Sequence, residues 1–380
     1  MKIAIEAQRL FRKKKHGMDI VALELIKNLQ LIDKINEYHI FVKDDVDKNC
    51  IDLKDNFYLH VLPSLPYPIW EQLTLPKAVK ACGAEVLHCT GNTAPFFVSC
   101  PTVITLHDII YLENNPLSKG STYQKFGNLY RKWIVPSVVK KAKIVVTVSD
   151  FERNTILRRL HQLFTKLKVV YNGVGDHFNK KYGNDELQQV RTEYSLPDPF
   201  ILFLGNTAPK KNLENVVKAF SEFIKNSKNS IQLVIVDFSK DNLMKVLKQN
   251  NIDESILSNI CLPGYVKNGD LPAFYGLAKV FLYPSLRESF GIPILESMAC
   301  GTPVITSNTS SMPEVAGDAA ILVDPFDYKA IVSALNQLLD RESLQNDLIV
   351  RGHKRAKDFT WQNTAINMLE IYKSVKVVSR

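Results

Sequence analysis

The chain of 380 residues lacks long apolar runs. None of its segments approaches the roughly 18 consecutive apolar residues that a membrane-spanning helix needs. The amino terminus, "MKIAIEAQRL", has no apolar signal core and predicts a first strand instead. Low-complexity tracts and short repeats are absent as well. We therefore expect a cytoplasmic protein, or one that is peripheral on the inner face of the cell membrane.

Paired cysteines and clustered metal ligands are also missing. The six cysteines stand at positions 50, 82, 89, 100, 261 and 300 and form no C-x-x-C pair. This scatter argues against both a zinc site and a disulfide framework, so we expect reduced, structural thiols. Because no convincing cluster of metal-ligating residues occurs, we expect no metal and no other cofactor.

The second half of the chain has no excess of positive charge. Residues 1–180 contain 26 lysines and arginines against 17 acidic residues, whereas residues 181–380 contain 22 of each, so the whole net charge of +9 lies in the first half. A basic half suggests an anionic partner such as a membrane surface, a phosphorylated acceptor or nucleic acid, although a solvated lysine-rich surface explains it equally well. We expect nucleic acid least, because the basic excess lacks interleaved aromatic residues or a known binding module.

Short β-branched runs alternate with longer amphipathic stretches, which predicts βα units and parallel sheets. In the first half the predicted strands are "KIAIEA", "HIFVKD", "FYLHVLP", "EVLHCT", "TVITLHD", "KIVVTVS" and "LKVVYNG". In the second half they are "FILFLGN", "IQLVIVD", "NICLPGY", "KVFLYPS", "PVITS" and "AAILVDP". The sequence therefore predicts an α/β protein with two doubly wound domains.

The domain boundaries follow from composition. We predict an amino-terminal Rossmann-like domain over residues 1–178, a linker over 179–199 and a carboxy-terminal Rossmann-like domain over 200–358. The linker prediction rests on the Gly, Asn, Asp and Pro residues of "GVGDHFNKKYGND" and "LPDP". Residues 359–380 predict one more helix. This helix either packs locally after the second domain or crosses back to the first domain. Open sheets bind ligands beyond the carboxyl ends of their strands, so we expect the site in a cleft between the domains.

The stretch "ESFGIPILESMACGTPVI", residues 288–305, contains two glutamates beside a predicted helix start. Gly291 and Pro293 favour a helix that begins there, and Gly301 favours its end. Unpaired N–H groups at such a start suit a phosphate, while Glu288 and Glu296 could each accept hydrogen bonds from vicinal sugar hydroxyls. Taken alone, a nucleotide-sugar site and an ordinary pair of helix and loop charges fit this pattern about equally well.

At this point the sequence resembles the retaining glycosyltransferases of family 4, of the type found in bacterial surface-polysaccharide assembly. Members carry a Glu-x7-Glu signature in this loop and helix. Further blocks that resemble the family, in order along nearly the whole chain, are "VITLHDIIYL", "VSDFERNTI", "VVYNGV", "FLGNTAPKKNLENVVKAF", "LPGYV" and "MPEVAGDAAILVDP". The resemblance implies the GT-B fold, in which two doubly wound Rossmann-like domains face each other across a cleft.

The resemblance also implies an activity. The expected reaction moves a hexose from a nucleotide diphosphate sugar, either GDP-mannose or a UDP-hexose, to a glycan or lipid-linked acceptor, with retention of configuration and without a metal. Catalytic roles are implied for His107 and Glu288. Donor contacts are implied at Gly17, Asp108, Asn206, Lys210, Lys211, Val266, Ser289, Phe290, Gly291, Ile292 and Glu296.

Two lysines after the first strand of the second half are the expected pyrophosphate ligands. Lys210 and Lys211 precede Asn212, a residue that often caps a helix, so two positive charges would meet a helix start. The family lysine at the place of Lys211 binds the pyrophosphate. Members often have an arginine where this chain has Asn206, which leaves more of the phosphate binding to the lysines. A solvated basic turn is the alternative.

In the first half, "TLHDIIY" places His107 and Asp108 at the end of a strand. The resemblance implies that His107 faces the donor sugar and that Asp108 orients its imidazole. We do not assign His107 as a necessary general base, because these transferases are thought to react on one face with the leaving phosphate assisting deprotonation. Gly17 would let the backbone approach phosphates or acceptor, and the basic loop from Arg12 to His16 would touch anionic lipid or be solvated.

Three other functions are weighed. "DDVD", residues 44–47, is similar to the Asp-x-Asp motif of metal-dependent glycosyltransferases of the other major fold, but its polar setting predicts a solvated loop. A sugar-nucleotide 2-epimerase shares the two-domain architecture and would turn over donor without an acceptor. A sugar-nucleotide-binding protein without activity is the third alternative, and the presence of both glutamates, Lys211 and His107 argues against it.

Overall fold

The computed structural model describes residues 1–113, 122–180, 182–205, 207–226 and 230–375, with the backbone alone for residues 122–125. The chain divides into two compact units. The first unit contains Met1–Gly173 together with the chain from Trp361 onward, and the second contains Val174–Thr360.

Each unit has a parallel sheet, as predicted. In the first unit the strands are β1 (Lys2–Glu6), β2 (Glu37–Lys43), β3 (Phe57–Leu62), β4 (Val86–Cys89), β5 (Thr102–Thr105), β6 (Ile144–Thr147) and β7 (Leu167–Val169), in the order β3-β2-β1-β4-β5-β6-β7. In the second unit they are β8 (Phe200–Leu204), β9 (Gln232–Val236), β10 (Ile260–Cys261), β11 (Val280–Tyr283), β12 (Val304–Ser307) and β13 (Ala320–Val323), in the order β10-β9-β8-β11-β12-β13. The prediction of two Rossmann-like sheets is confirmed.

The helices of the first unit cover both faces of its sheet. Between Met1 and Gly173 they are α1 (Gly17–Ile32), α2 (Tyr67–Ile69), α3 (Leu75–Cys82), α4 (Thr122–Lys141) and α5 (Asp150–Arg159), with a π-helical turn at Trp70–Thr74 between α2 and α3. Successive residues of a strand point to opposite faces, and Ala4 packs into one apolar cluster while Ile3 and Ile5 pack into the other. Burial on both faces explains why β1 is a nearly continuous apolar run, whereas the edge strand β3 is partly exposed.

The second unit repeats this arrangement. Its helices are α6 (Asn184–Glu193), α7 (Leu213–Asn226), α8 (Lys240–Gln249), α9 (Leu271–Leu277), α10 (Ile292–Ala299), α11 (Met312–Ala316), α12 (Tyr328–Leu339) and α13 (Glu342–Asp358). On α7, Val216, Phe220 and Phe223 recur at the helical period and are buried against the sheet. Complete burial of such side chains contributes about 1.5 to 3 kcal/mol each.

The predicted linker is where the structure differs from the sequence expectation. Within the predicted linker, residues 184–193 form α6, and this helix belongs to the second unit. Tyr194 fixes its end, because its ring packs edge-on against Phe274 and its hydroxyl donates to the Asp270 carboxylate at 2.7 Å. The Gly and Asn residues that suggested a linker instead surround the helix start, where Gly183 is the N-cap. The unit boundary lies at Gly173, five residues earlier than predicted.

The last helix, α14 (Trp361–Val375), packs on α1 of the first unit. Its Tyr372 is fully buried, and the hydroxyl lies 2.7 Å from Nδ1 of His88 on β4. The other ring nitrogen of His88 lies 2.7 Å from the Thr105 hydroxyl. Burial lowers the pKa of His88 to about 3, so this imidazole is neutral and links helix to sheet. Among the described residues no helix combines the length and the apolar character that crossing a bilayer needs.

Candidate functional site

Lys210, Lys211 and Glu288 form a cluster of charges at the carboxyl ends of β8 and β11. The Lys211 ammonium donates to Oε1 of Glu288 at 2.8 Å, and the Lys210 ammonium donates to Oε2 at 3.3 Å. Lys211 also donates to the Tyr283 hydroxyl at 2.8 Å. Only 9% of Glu288 is exposed to solvent. Two of the predicted phosphate ligands and one predicted catalytic residue therefore lie in direct contact.

The two ammonium groups determine the charge of Glu288. Burial alone would raise the pKa of this carboxyl, but Lys211 and Lys210 lower it to about 2. The carboxylate is therefore ionised at neutral pH, and the cluster carries one net positive charge. A site with one surplus positive charge at a low local dielectric attracts an anion such as a diphosphate.

Serine side chains hold the loop that carries Glu288. The backbone N–H of Glu288 donates to the Ser310 hydroxyl at 3.0 Å, and the Ser311 hydroxyl donates to the Glu288 carbonyl at 2.9 Å. Ser311 lies as close to the Phe290 carbonyl, at 2.8 Å, and Arg287 donates to the Glu288 carbonyl at 3.0 Å. These contacts join the loop after β11 to the loop after β12, so the backbone of the glutamate is fixed.

The lysine turn is attached to the same region. Pro209–Lys211 is a short 3₁₀ helix, and Asn212 follows it with a φ of 63°. We expected Asn212 to cap α7, but its amide group donates to the carbonyls of Pro284 and Pro325, at 2.9 and 2.7 Å. The left-handed backbone, which asparagine tolerates, turns the chain so that its side chain reaches two other loops. Asn212 therefore positions the lysines.

Helix α10 begins beside this cluster. Its N-cap is Gly291, whose φ of 108° is a conformation that favours glycine, and Pro293 is the second helical residue instead of the predicted first. Glu296 lies one turn further along and is half-buried, with the Tyr275 hydroxyl donating to its Oε2 at 2.9 Å. Burial raises the pKa of Glu296 to about 7, in contrast to Glu288. The start of α10 therefore lies between two unlike carboxyl groups. Pro293 has no N–H and that of Ile294 donates to the Gly291 carbonyl at 3.0 Å, so a ligand would have to meet the N–H groups of Gly291 and Ile292.

Other predicted donor residues lie in the loops of the same unit. Ser289 and Ile292 are partly exposed, whereas Phe290 is buried with its ring against Phe359. Val266 follows β10 and is also buried, so a ligand would contact its backbone and not its side chain. Asn206 lies outside the described residues. The donor contacts at all these positions stay predictions.

In the first unit, His107 is buried at the end of β5. Its Nε2 lies 2.9 Å from the Thr90 carbonyl, which can only accept, so Nε2 carries the proton and Nδ1 is left as an acceptor. Burial lowers the pKa of His107 and keeps the imidazole neutral. The expectation that Asp108 orients the ring is wrong, because the Asp108 carboxylate accepts from the Ile110 N–H at 3.2 Å. The Thr90 carbonyl has that role.

Gly17 is the first residue of α1, and a Cβ there would meet no atom within 4 Å. Gly17 is exposed, and its contact with a phosphate or acceptor stays a prediction. The basic loop before it is less open than expected, since the Lys15 ammonium lies 2.5 Å from the Asp47 carboxylate and is nearly buried. Lys13 and Lys14 are exposed.

Sequence reasoning missed a buried polar network in the first unit. Glu71 is 1% exposed and accepts from the hydroxyls of Tyr67, Thr93 and Tyr130 and from the Gln72 amide. Nothing in the local pattern of the helical run around Glu71 signals this role. Two tyrosines were missed as well: Tyr283, which hydrogen-bonds Glu288 and lies within a predicted strand, and Tyr275, which donates to Glu296.

The Asp-x-Asp lookalike forms ordinary surface contacts. Asp44 pairs with Lys48 at 2.8 Å, and Asp47 pairs with Lys15. Across the part of the chain that the structure describes, no group of three or more His, Cys, Asp or Glu residues is placed to hold a metal ion.

Two family descriptions match the sequence. Residues 16–177 match "Glycosyltransferase Family 4", and residues 185–355 match "Glycosyl transferases group 1". The two matches cover most of the first and second unit respectively.

The curated relatives include mannosyltransferases. The chain is 32% identical to the O-antigen chain mannosyltransferase B of Escherichia coli, over 61% of each chain. It is 28% identical to the serotype-specific mannosyltransferase WbdA of E. coli, over 90% of this chain and 43% of the relative. Identity to the O-antigen chain mannosyltransferase RfbU of Salmonella typhimurium is 30%, over 75% of this chain and 74% of the relative. The chain thus spans 61% and 43% of the length of the first two.

Solved structures share the fold at lower identity. Sucrose-phosphate synthase from Thermosynechococcus elongatus superimposes with a TM-score of 0.75 at 20% identity, covering 100% of both chains. Anabaena HepE in complex with UDP and glucose gives 0.74 at 16% identity, covering 98% of this chain and 100% of the other. These similarities establish the GT-B fold. The family matches and the Salmonella relative show that this chain belongs to glycosyltransferase family 4, the family that its Glu-x7-Glu loop resembles.

Proposed function

We propose that the protein transfers a hexose, with retention of configuration, from a nucleotide diphosphate sugar to a glycan or lipid-linked acceptor in surface-polysaccharide assembly. The observation that carries the proposal is the contact of Lys210 and Lys211 with Glu288 beside the start of α10. It combines cations for a diphosphate with a fixed carboxylate for sugar hydroxyls.

Each group has a role in the proposed reaction. The bond between the sugar C1 and the diphosphate oxygen breaks, and the lysines stabilise the negative charge that develops on the leaving diphosphate. The acceptor hydroxyl oxygen bonds to C1 on the same face, and its proton passes to the leaving phosphate. Glu288 accepts from hydroxyls of the transferred sugar, Glu296 accepts from the ribose, and the Nδ1 atom of His107 accepts from a hydroxyl of the sugar.

The relatives favour a mannosyl donor. The three proteins compared above are named as mannosyltransferases, which supports GDP-mannose as the first donor to test. HepE has been solved with UDP and glucose, which supports UDP-glucose as the second.

Donor turnover tests the proposal. Purified protein is incubated with each donor and a mixture of glycan and lipid-linked acceptors, and released nucleoside diphosphate is measured. We expect release with one donor, product with retained anomeric configuration by NMR, and the same rate in EDTA. An inverted product, or activity that chelation abolishes and manganese restores, contradicts the retaining and metal-independent parts.

The same assay separates the alternatives. Conversion of the donor to its C2 epimer without an acceptor would identify a sugar-nucleotide 2-epimerase. Donor binding with neither transfer nor epimerisation would identify a binding protein without activity.

We further propose that the first unit docks on an anionic bilayer that holds a lipid-linked acceptor. Phe126, Leu129 and Trp133 lie on one face of α4 and are 74%, 64% and 74% exposed, with Lys132 and Lys140 exposed on the same helix. Exposed aromatic residues beside lysines are typical of helices that lie in a membrane interface. The unit contains 28 basic and 17 acidic residues, a net charge of +11, which complements anionic lipid.

Vesicle sedimentation tests the membrane part. We expect salt-sensitive binding to phosphatidylglycerol vesicles that a Phe126→Ser/Trp133→Ser variant loses, and a smaller loss when Lys13 and Lys14 are neutralised. No binding to anionic vesicles at low salt, together with equal transfer to soluble and lipid-linked sugars, contradicts it.

A further inference from the structure

We infer that Tyr283 is a positioning residue for the lysine and glutamate cluster of the second unit. Its hydroxyl fixes the direction of the Lys211 ammonium, so that one N–H of this group is left for the diphosphate of the donor. The inference rests on the proposed function for the identity of the diphosphate, and it adds a residue that acts through Lys211.

Tyr283 bonds both the lysine and the glutamate. It is the last residue of β11 and is 1% exposed. Its hydroxyl accepts from the Lys211 ammonium at 2.8 Å, and the same nitrogen lies 4.6 Å from the centre of its ring. Burial raises the pKa of Tyr283 well above its usual value, so the hydroxyl keeps its proton and donates it to Glu288. Lys211, Glu288 and Tyr283 therefore form a closed triangle of hydrogen bonds.

This triangle determines how Lys211 can meet a ligand. An ammonium has three N–H groups, and Glu288 and Tyr283 accept from two of them. The third is left for a ligand, since 16% of the side chain is exposed. Because the three N–H groups have a tetrahedral arrangement, two fixed acceptors set the direction of the third. A diphosphate thus meets an oriented donor instead of a rotating ammonium, which is the arrangement that stabilises developing charge best.

Lys210 shows what Lys211 would be without the hydroxyl. Its ammonium lies 3.3 Å from Glu288, and its side chain is 35% exposed. In the described part of the chain it has no second side-chain partner. Both lysines attract an anion by their charge, but Lys211 has the second anchor that orients it.

The ring of Tyr283 is itself held in place. Phe281 and Tyr283 lie on the same side of β11 and stack with their centres 5.4 Å apart. Tyr275 of α9 packs edge-on against Phe281 at 5.1 Å, and its hydroxyl donates to Glu296 at 2.9 Å. Each of the three rings is 1% exposed or less. This aromatic column therefore has a glutamate at each end, and its close packing keeps the Tyr283 hydroxyl at a fixed position.

Diphosphate binding tests the inference. Calorimetry measures the affinity of the full-length protein for inorganic pyrophosphate, GDP and UDP. Tyr283→Phe removes the hydroxyl and keeps the ring, so we expect the ligands that bind the wild type to bind this variant about tenfold more weakly. Tyr372→Phe is the matched control, because it removes an equally buried hydroxyl in the first unit. Its affinity should equal that of the wild type.

A double-mutant cycle shows whether the hydroxyl acts through Lys211. In a Lys211→Met background, Tyr283→Phe should change the affinity by less than about twofold, because the ammonium that it positions is gone. Steady-state kinetics give a second readout. Tyr283→Phe should raise the KM for the donor and leave the KM for the acceptor unchanged, whereas a general loosening of the fold would alter both.

Four results would overturn the inference: no binding of any of the three ligands to the wild type, wild-type affinity in Tyr283→Phe, the same loss in both backgrounds, or an equal loss in Tyr372→Phe. The proposed function is judged separately, from donor turnover by the wild type. A protein that binds GDP or UDP with the expected dependence on Tyr283 and Lys211, but transfers no sugar, would support the inference and contradict the proposed function.

Discussion

The two units each bury carboxylates at the carboxyl edge of a sheet, but they compensate them differently. In the second unit Glu288 has two ammonium partners and a pKa of about 2. In the first unit Glu6 has backbone N–H partners and a pKa of about 7, since burial dominates there. The difference lies in the partners, because burial raises the pKa of both groups. Two full cations beside a carboxylate suit an anionic diphosphate, whereas Glu6 is held by backbone N–H groups.

Overall charge does not locate these sites. The second unit contains 20 basic and 22 acidic residues, a net charge of −2, yet it holds the lysine pair. The first unit has the positive excess, yet a small cavity beside the ends of β1 and β4 is lined by two acidic residues, Glu6 and Asp19. Local pairing over a few ångströms therefore determines what each site binds, while net charge acts on association with surfaces.

The largest expected effect comes from removing the negative charge of Glu288 in the lysine and glutamate cluster of the second unit. In Glu288→Gln an amide replaces the carboxylate, so two ammonium groups lose their counter-charge and the donor sugar loses an acceptor. We expect kcat to fall about a hundred- to thousandfold, comparable to the loss of one group that stabilises a transition state. Steady-state kinetics with the donor that the wild type uses checks this. Glu214→Gln, at an exposed pair on α7, is the control and should change nothing.

The two lysines should differ although they are adjacent. Lys211 lies 2.8 Å from Glu288 with its side chain 16% exposed, whereas Lys210 lies at 3.3 Å and is 35% exposed. Lys211→Met breaks the more buried pair and should lower the free energy of unfolding by about 3 kcal/mol. Lys210→Met should cost about 1 kcal/mol or less. Urea unfolding measures the free energy of unfolding of both variants. Equal losses would contradict the expected difference between Lys211 and Lys210.

The free energy of unfolding should depend on pH in opposite ways for Glu288 and Glu296 of the second unit. The pKa of Glu288 falls from 4.5 to about 2, so its contribution is complete above pH 4.5 and is lost as the pH drops toward 2. This shift corresponds to about 3 kcal/mol. The pKa of Glu296 rises from 4.5 to about 7, so its contribution is complete below pH 4.5 and is lost as the pH rises through 7.

Unfolding measured between pH 3 and pH 8 checks these opposite signs. Relative to the wild type, Glu288→Gln should flatten the acid limb and Glu296→Gln should flatten the limb near neutrality. Profiles parallel to the wild type in both variants would show that neither carboxyl is perturbed by its surroundings.

The smallest effect compares the two helix starts. Gly291 has a φ of 108°, and a Cβ there would lie 3.2 Å from Cδ1 of Ile294, so Gly291→Ala should cost about 1 to 2 kcal/mol. At Gly17 a Cβ meets open space, and Gly17→Ala should change stability by less than about 0.5 kcal/mol. Thermal unfolding of both variants checks the difference. Equal destabilisation would mean that α1 and α10 begin under similar constraint.

The strands could be predicted from sequence because they are short apolar runs, and inner strands such as β1, β11 and β12 are buried on both faces. The helix end at Gly301 could also be predicted, since its φ of 79° is one that glycine favours. The linker prediction was wrong because α6 is a short, polar helix whose buried residue is Val190. Its local composition is typical of a loop, and the contacts of Tyr194 that fix the end of the helix are made with residues far away in the sequence.

Contacts between residues that are far apart in the sequence could not be predicted from the local sequence pattern. Ser310 and Ser311 hold Glu288 across more than twenty residues, and Asn212 reaches Pro325 across 113. Lys15 was predicted to be part of an open basic loop, but it pairs with Asp47, 32 residues away. Such pairs depend on how the loops of neighbouring strands meet at the edge of a sheet.

Calorimetric titration of GDP-mannose and UDP-glucose into wild-type, Lys211→Ala and Lys245→Ala protein tests the central claim most directly. Lys245 is an exposed lysine on α8 of the same unit, which makes its variant the matched control. We predict that the wild type binds one of the two donors and that Lys211→Ala weakens this binding ten- to over a hundredfold, or about 1.5 to 3 kcal/mol. Lys245→Ala should bind like the wild type. Wild-type affinity in Lys211→Ala would contradict the assignment of the lysine and glutamate cluster as the donor site.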